Sequence, residues 1–214
     1  MLNIILKKEV LSLKINNYNE FKTFVSNLEE KPKLLLHACC GPCSTGVLDR
    51  LVEHFDVTIY YANDNIDTLA EFEKRQAELL KVAGLYQIRV VTKKYEPKYY
   101  YEAVKGLEDL GEFSQRCYNC IKERMTFSAK YAKDNNFSYF TTTLSVSPYK
   151  SSKDINEIGY MLEEEIGVSY LYSDFKKEEG YKLSVKNSRD MNLYRQEYCG
   201  CIYSREEHEK RSHN

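Results

Sequence analysis

The sequence has no tryptophan, only four prolines and nine glycines among its 214 residues, and no long apolar run. A helix that spans a membrane needs about 20 consecutive apolar residues, and no stretch of this chain approaches that length. Residues 1–6 run directly into Lys7, Lys8 and Glu9, without the apolar segment and cleavage site of a secretory signal. We therefore predict a cytoplasmic protein that makes no use of a membrane.

The sequence also lacks an excess of either charge, since its formal net charge is −1. This balance gives no overall attraction to phosphate groups, so any binding of nucleic acid would depend on local basic patches. Hydrophobic residues make up 43% of the chain and charged residues 29%, which excludes an intrinsically disordered chain. We predict one α/β domain at residues 34–214. It is preceded by an extension at residues 1–33, whose amphipathic segment at residues 18–28 packs on the core.

Short apolar or β-branched segments alternate with segments that favour helix. Strands are predicted at residues 34–38, 57–61, 88–91, 139–144 and 169–172, and helices at residues 44–55, 68–82, 120–135 and 152–165. Gly84 is predicted to cap the second helix, and Ser204 with Glu207 resembles a capping box that opens a terminal helix. The alternation predicts a Rossmann-like, mainly parallel sheet with helices on both faces. Ligands of such sheets bind at the carboxyl ends of the strands, where we expect the site.

Cysteine, in contrast, is abundant, with seven residues in a chain predicted to stay in a reducing compartment. All seven fall in three short groups. These groups are Cys-Cys-Gly-Pro-Cys at residues 39–43, Cys-Tyr-Asn-Cys at residues 117–120 and Cys-Gly-Cys at residues 199–201. Such clustering indicates metal or redox chemistry rather than isolated core thiols.

The first two groups together offer the ligands of one metal centre. Cys39 and Cys40 are held in one turn by the Gly-Pro pair that follows, and Cys117 and Cys120 lie about one helical turn apart. Four thiolates complete the ligand set of an iron–sulfur cluster or of a structural zinc ion. Because directly adjacent ligands are uncommon in zinc ribbons, we favour the cluster. A zinc-stabilised RNA-binding module is kept as an alternative.

The third group differs in kind, because a single glycine separates Cys199 from Cys201. A disulfide across so small a ring is strained and readily reduced, and such bonds tend to be catalytic or regulatory. We therefore predict a redox-active pair that relays electrons, with metal ligation as the alternative. Arg195 stands nearby in the sequence and would lower a thiol pKa if the fold brought it close.

Residues 40–43 also spell the Cys-x-x-Cys active site of thioredoxin-like oxidoreductases, in which the first thiol is acidic at a helix N-terminus. Against that alternative, Cys39 precedes the motif, tryptophan is absent and two further cysteine groups remain unexplained. Cys43 has no firm role beyond that of a second-metal ligand or reserve thiol. His37 is left unassigned, because a histidine at a strand end is more often structural.

Several segments together carry a resemblance to a known family. They read His-Ala-Cys-Cys-Gly-Pro-Cys-Ser at 37–44, Arg-Cys-Tyr-Asn-Cys at 116–120, Thr-Thr-Thr-Leu at 141–144, Ser-Pro-Tyr-Lys at 147–150 and Leu-Tyr-Arg-Gln-Glu-Tyr-Cys-Gly-Cys at 193–201. In this order and combination they resemble the epoxyqueuosine reductase QueH family over about residues 34–204. Residues 63–66 read Asn-Asp-Asn-Ile, where family members usually have a proline in second position.

The resemblance implies an enzyme that removes the epoxide oxygen of epoxyqueuosine in a tRNA anticodon, giving queuosine, on a fold related to adenine-nucleotide alpha hydrolases. It implies a 4Fe–4S cluster whose ligands are Cys39, Cys40, Cys117 and Cys120. It also implies that Cys199 and Cys201 form a redox-active disulfide, and nothing in the sequence resembles a cobalamin-binding module. Conversion of an epoxide to an alkene needs two electrons, whereas a cluster passes one at a time. A dithiol beside the cluster would store the pair, and an electron donor is required.

Overall fold

Five strands form one sheet in the computed structural model, which describes residues 15–212. The strands are β1 (Lys33–His37), β2 (Asp56–Tyr61), β3 (Arg89–Thr92), β4 (Tyr139–Thr142) and β5 (Ser169–Tyr170). They lie in the order β3-β2-β1-β4-β5, and every neighbouring pair is parallel. The predicted Rossmann-like α/β fold is therefore confirmed. The strand order reverses between β1 and β4, and a crevice forms at the carboxyl ends of strands at such a point.

Eight α-helices and a short 3₁₀ turn surround the sheet in the described part of the chain. The helices are α1 (Tyr18–Ser26), α2 (Gly41–Leu51), α3 (Leu69–Tyr86), α4 (Lys98–Val104), α5 (Gln115–Asp134), α6 (Ser152–Ile166), α7 (Gly180–Asp190) and α8 (Ile202–Ser212), and the 3₁₀ turn spans Thr143–Val146. Between residues 15 and 212, no helix combines the length and the apolar character that crossing a bilayer requires.

The central strand β1 is buried on both faces, so that its apolar residues run without alternation. Leu34 and Leu36 pack in one core with apolar side chains of α2 and α3, whereas Leu35 packs in a second core with side chains of α5 and α6. All three leucines are fully buried, and burial of each contributes about 1.5–3 kcal/mol of hydrophobic stabilisation. The two cores hold β1 rigidly, and with it the cysteine turn that follows.

The described part of the N-terminal extension includes α1, which begins at an Asn17 cap whose side chain accepts from the backbone of Asn19 and Glu20. Phe21 and Val25 of this helix are buried in the same core as Leu34, as the amphipathic pattern predicts. Residues 1–14 of the extension lie outside the described residues. The division at residue 33 into extension and domain stays a prediction.

Several predicted boundaries are wrong for local reasons. Helix α3 continues past Gly84 to Tyr86, because Tyr86 still packs on the core. Its C-cap is Gln87, which adopts the left-handed conformation. Strand β4 ends at Thr142, whose hydroxyl accepts from the Leu144 backbone and turns the chain. Helix α5 starts five residues earlier than predicted, and α4 and α7 were not predicted.

The predicted capping box at Ser204 is also wrong. Helix α8 begins at Ile202, so Ser204 lies inside its first turn. The Ser204 hydroxyl instead donates to Glu112 Oε1 at 2.7 Å and accepts from the Cys199 backbone N–H at 3.1 Å. This side chain fixes the third cysteine group rather than the end of a helix.

Candidate active site

A cavity of about 610 Å³ opens at the carboxyl ends of β1 and β4, the edge at which the site was predicted. Cysteines from all three groups line this cavity, namely Cys39, Cys43, Cys117, Cys120, Cys199 and Cys201. All seven cysteines lie within residues 15–212 and are free thiols in this structure. The fold thus brings together three groups that are far apart in the sequence.

The first group forms a compact cluster of sulfur atoms. The Sγ atoms of Cys39, Cys40 and Cys43 all lie within 4.8 Å of one another. Cys40 is the N-cap residue of α2, so Cys43 lies in the first turn of that helix. The turn packs directly on α3, where a Cβ at position 41 would lie 2.7 Å from the Glu78 carbonyl oxygen, and only glycine fits there. Cys43, which had no firm role in the sequence, is therefore part of this cluster.

The three clustered thiols differ in acidity. Hydrogen bonds with Cys40 and Cys43 hold the pKa of Cys39 well below the ordinary range of a thiol. The hydrogen bond with Cys39, together with burial, raises the pKa of Cys40 to about 12, and the same causes raise that of Cys43. A thioredoxin-like site requires the opposite arrangement, with an acidic first thiol in the Cys-x-x-Cys motif. In this structure the acidic thiol is instead Cys39, which precedes the motif.

The donor set fits a thiolate-ligated metal centre. Three sulfur ligands at this spacing suit an iron–sulfur cluster or zinc equally well in chemical type. Cys117 and Cys120 lie in the first turns of α5 and face the same cavity. Burial raises the pKa of Cys120 to about 12. Membership of Cys117 and Cys120 in the same ligand set as Cys39 and Cys40 stays a prediction.

The third group is pinned by contacts along its backbone. Buried Arg75 of α3 donates to the carbonyl oxygens of Cys199 at 2.9 Å and Tyr198 at 3.3 Å, and its Nε lies 2.6 Å from the Glu71 carboxylate. Gly200 has φ of +126°, and a Cβ there would lie 2.8 Å from Arg75 Nη1. Glycine is therefore required between the two cysteines by both conformation and space.

Cys199 and Cys201 have opposite electrostatic surroundings. Burial alone would raise the pKa of Cys199, but Lys150, Arg124 and Arg75 lower it below its ordinary value. The Lys150 ammonium donates to Cys199 Sγ at 3.4 Å. Burial and the neighbouring Cys199 raise the pKa of Cys201. Cys199 is thus the more acidic thiol of the pair, and the predicted disulfide between the two stays a prediction.

Sequence reasoning missed the cations that surround the cysteines. Arg124 is 2% exposed, lines the cavity and donates from Nε to the Cys120 carbonyl oxygen. Its charge lowers the pKa of both Cys39 and Cys199. A signal was present, because residues 117, 120 and 124 share one helical face. Arg195 also lines the cavity, but its guanidinium donates to the Ser188 hydroxyl.

His37 is structural, as its position at the end of β1 suggests. Its Nε2 donates to the Ala62 carbonyl oxygen, which can only accept, so Nδ1 accepts from the Thr142 hydroxyl. Burial and the Arg124 charge lower the pKa of His37 to about 4. Both ring nitrogens are occupied, and the side chain joins β1 to β4 rather than reaching a ligand. Gln196, which lies just before the third cysteine group, contacts the first group, because its amide donates to Cys40 Sγ at 3.0 Å.

Comparison with known proteins places the chain in a family. A family profile described as epoxyqueuosine reductase QueH matches residues 34–207. Proteins named epoxyqueuosine reductase QueH are similar to this chain in several bacteria. The protein of Streptococcus pyogenes serotype M1 is 34% identical over 88% of this chain and 78% of its own length. The protein of Staphylococcus epidermidis is 35% identical over 89% of this chain and 85% of its own length. The protein of Thermotoga maritima is 36% identical over 80% of this chain and 89% of its own length.

Proposed function

The chain belongs to the epoxyqueuosine reductase QueH family and is an oxidoreductase of queuosine biosynthesis, and we propose that it reduces its substrate with a cysteine-bound 4Fe–4S cluster and a redox-active cysteine pair. The substrate is epoxyqueuosine in the anticodon of tRNA, and the product is queuosine. A reducing partner supplies the electrons. The reaction removes the epoxide oxygen as water and leaves an alkene.

The observation that carries this proposal is the meeting of three cysteine groups around one cavity. A cluster of three thiols with the spacing of metal ligands and a separate acidic thiol face the same space. An isolated structural metal site would need only the thiol cluster, and a thiol oxidoreductase would need only the separate acidic thiol. Both sets beside one cavity suit a reduction that needs stored electrons and a place for the substrate.

The chain offers five thiols to hold the cluster, which are Cys39, Cys40, Cys43, Cys117 and Cys120. We propose Cys39, Cys40, Cys117 and Cys120 as the ligands, with Cys43 a neighbour that contacts Cys39 and Cys40. When bound, a 4Fe–4S cluster supplies electrons one at a time. The Arg124 charge favours the thiolate form of Cys39, which is the form that binds metal.

Cys199 and Cys201 balance the reaction as a dithiol. Oxidation of the two thiols to a disulfide releases two electrons and two protons, and conversion of the epoxide to an alkene and water consumes the same number. Cys199, the more acidic thiol, is the one that reacts first. The 3.4 Å contact with Lys150 favours the thiolate form of Cys199, and in that form the Lys150 ammonium carries the second of the two protons. Lys150 also lines the cavity into which the substrate must enter.

One assay tests the function. Protein purified without oxygen and reconstituted with iron and sulfide is supplied with a low-potential reductant and tRNA that contains epoxyqueuosine. We expect queuosine among the digested nucleosides by mass spectrometry. An active, cluster-loaded preparation that leaves the epoxide intact while reducing a small molecule would retain the reductase class and exclude the tRNA substrate.

The cofactor needs its own test. We expect brown protein with iron and acid-labile sulfide, and loss of iron in Cys39→Ser, Cys40→Ser, Cys117→Ser and Cys120→Ser. Ser26→Ala, at an exposed position of α1, is the control that should keep its iron. Colourless protein with one tightly bound zinc ion and no sulfide would favour the zinc-stabilised RNA-binding module. Iron-free protein that reduces a generic disulfide through Cys40 and Cys43 would favour the thioredoxin-like alternative.

A further inference from the structure

Two aromatic rings at the cavity are more exposed than the other large hydrophobic side chains of the described residues. Phe113 is 70% exposed and Tyr149 is 68% exposed, and both line the cavity. Phe113 belongs to the loop between α4 and α5, and Tyr149 to the loop that precedes α6. Leu85 is similarly exposed at 66% but lies on α3, away from the cavity lining. Of the three exposed aromatic side chains among the described residues, these two line the cavity and Tyr101 does not.

The backbone at Phe113 is strained. Its φ of 64° lies in the left-handed region, which a bulky side chain rarely adopts. Burial does not compensate for this strain, because the ring is mostly in solvent. Strained residues that persist without a packing reason are concentrated at sites that hold ligands. The conformation thus points to a ring that is kept available for a partner.

The charge around the cavity favours an anionic partner, although the chain as a whole carries −1. The carboxylates of Glu112, Asp154 and Glu197 are outnumbered there by cations. These cations are Arg116, Arg124, Lys150, Arg195 and Arg211. Arg116 and Arg211 form ion pairs with Glu207 and Glu112, and Arg124 is buried, so Lys150 and Arg195 are the lining cations that remain to attract RNA phosphate groups.

We propose that Phe113 and Tyr149 stack on unpaired nucleobases of the anticodon loop beside the nucleotide that enters the cavity. This inference rests on the proposed function, which makes a tRNA anticodon the substrate. Proteins recognise single-stranded RNA loops by stacking aromatic side chains on splayed bases. A base that is modified by an enzyme must also leave its stack, and rings at the rim replace the stacking that its neighbours lose. The two loops therefore form an RNA subsite.

Binding of an anticodon stem-loop RNA to anaerobically purified, cluster-loaded protein tests this subsite, measured by fluorescence anisotropy. We expect Phe113→Gly and Tyr149→Ala each to weaken binding by about 5- to 150-fold. Phe113→Tyr and Tyr149→Phe should bind as the wild type does, and so should the control Leu85→Ala. The slope of affinity against salt should stay unchanged, since stacking releases no counterions.

Phe113→Gly separates binding from a structural role. Glycine tolerates the positive φ without strain, so we expect this variant to unfold at the same or a higher temperature while its RNA affinity falls. A lower unfolding temperature with normal RNA affinity would overturn the proposal. An altered self-association in sedimentation with unchanged RNA affinity would also overturn it, in favour of a second copy of the chain on this surface.

The test distinguishes the subsite from the function on which it rests. If the wild type binds the stem-loop and both variants bind equally well, the subsite is refuted and the reductase assignment is untouched. If the wild type reduces epoxyqueuosine in tRNA but the variants keep full affinity and turnover, the same conclusion follows. If the wild type binds no anticodon RNA, both the subsite and the tRNA substrate are refuted.

Discussion

Lys150 and Cys199, which are separated by 49 positions in the sequence, meet at the cavity with the ammonium donating to the sulfur at 3.4 Å. The contact joins the loop before α6 to the third cysteine group. Each partner stabilises the charged form of the other, since Cys199 raises the pKa of Lys150 while Lys150 lowers that of Cys199. The contact therefore favours the thiolate form of Cys199 and the ammonium form of Lys150.

Removal of the Lys150 charge should make Cys199 less acidic. We expect Lys150→Gln to raise the pKa of Cys199, because the thiolate loses an opposite charge at close range. The midpoint of the pH profile for iodoacetamide labelling of Cys199, followed by peptide mass spectrometry, should move upward accordingly. Lys153→Gln, an exposed lysine at the start of α6, is the matched control. An unchanged midpoint in Lys150→Gln would show that Arg124 and Arg75 suffice.

The cysteine pair should be separable from the metal centre. Cys199→Ser and Cys201→Ser are each expected to retain the iron content and visible spectrum of the wild type while turnover falls by at least about 100-fold, because one thiol cannot form the disulfide. Iron analysis and the nucleoside assay on the same preparation measure both properties. Loss of iron from either variant would assign the pair to the metal site.

Gly200 should be among the least tolerant positions of the chain. Gly200→Ala adds a Cβ at 2.8 Å from Arg75 Nη1 in a left-handed conformation, and we expect a loss of about 1–3 kcal/mol in the free energy of unfolding together with most of the activity. Gly84→Ala is the control, because no heavy atom lies within 4 Å of its added Cβ. In the helix that variant should gain about 0.5–1 kcal/mol. Equal behaviour of the two variants in anaerobic urea unfolding would contradict the role of Arg75.

Glu123 should make stability depend on pH. Both of its carboxylate oxygens are buried without a hydrogen-bond partner among residues 15–212, and burial raises its pKa from 4.5 to about 7. The native state therefore holds this proton more tightly than the unfolded state does. The stability that the protonated group provides is present below about pH 4.5 and is lost as the pH rises through about 7.

Glu123→Gln removes that ionisation. We expect the variant to match the wild type near pH 4.5 and to exceed it by roughly 3 kcal/mol at about pH 8. Urea unfolding at the two pH values measures the difference. Glu157→Gln, on the exposed side of α6, controls for the loss of a charge alone. A difference between Glu123→Gln and wild type that is equal at both pH values would refute the raised pKa.

The sheet could be predicted because each strand has a local sequence pattern of apolar or β-branched residues. Leu34, Leu35 and Leu36 form an apolar run that only a strand buried on both faces explains, and the cysteine turn directly after it locates the site. Helix ends were harder, since tertiary packing decides them. Gly84 is a residue that commonly caps helices. The helix nevertheless continues beyond it, because Tyr86 packs against the core.

Among the cations of the site, Arg124 could have been found, because it shares a helical face with Cys117 and Cys120. Arg75 could not, because its role depends on neighbours that are distant in the sequence. In the sequence, Arg75 has the context of a surface arginine on a charged helix. In the structure it is buried and donates to the carbonyl oxygens of Tyr198 and Cys199, which are 123 and 124 positions away. Cys43 was left aside because a four-cysteine set was already complete without it. Only the folded chain shows its sulfur within 4.8 Å of Cys39 and Cys40.

The contact of Gln196 with Cys40 spans 156 positions, and it has a consequence for synthesis of the protein. The chain emerges from the ribosome with its N-terminus first. The first cysteine group therefore emerges before the segment around Gln196, which closes over it, has been synthesised. The strands and most helices can fold before residue 196 appears, but the cavity cannot be complete. Contacts between such distant segments also form late in folding, because they carry the largest loss of chain entropy. The nascent protein therefore passes through a stage in which the first thiols are exposed to solvent, and delivery of a metal at that stage would not have to pass through the finished cavity.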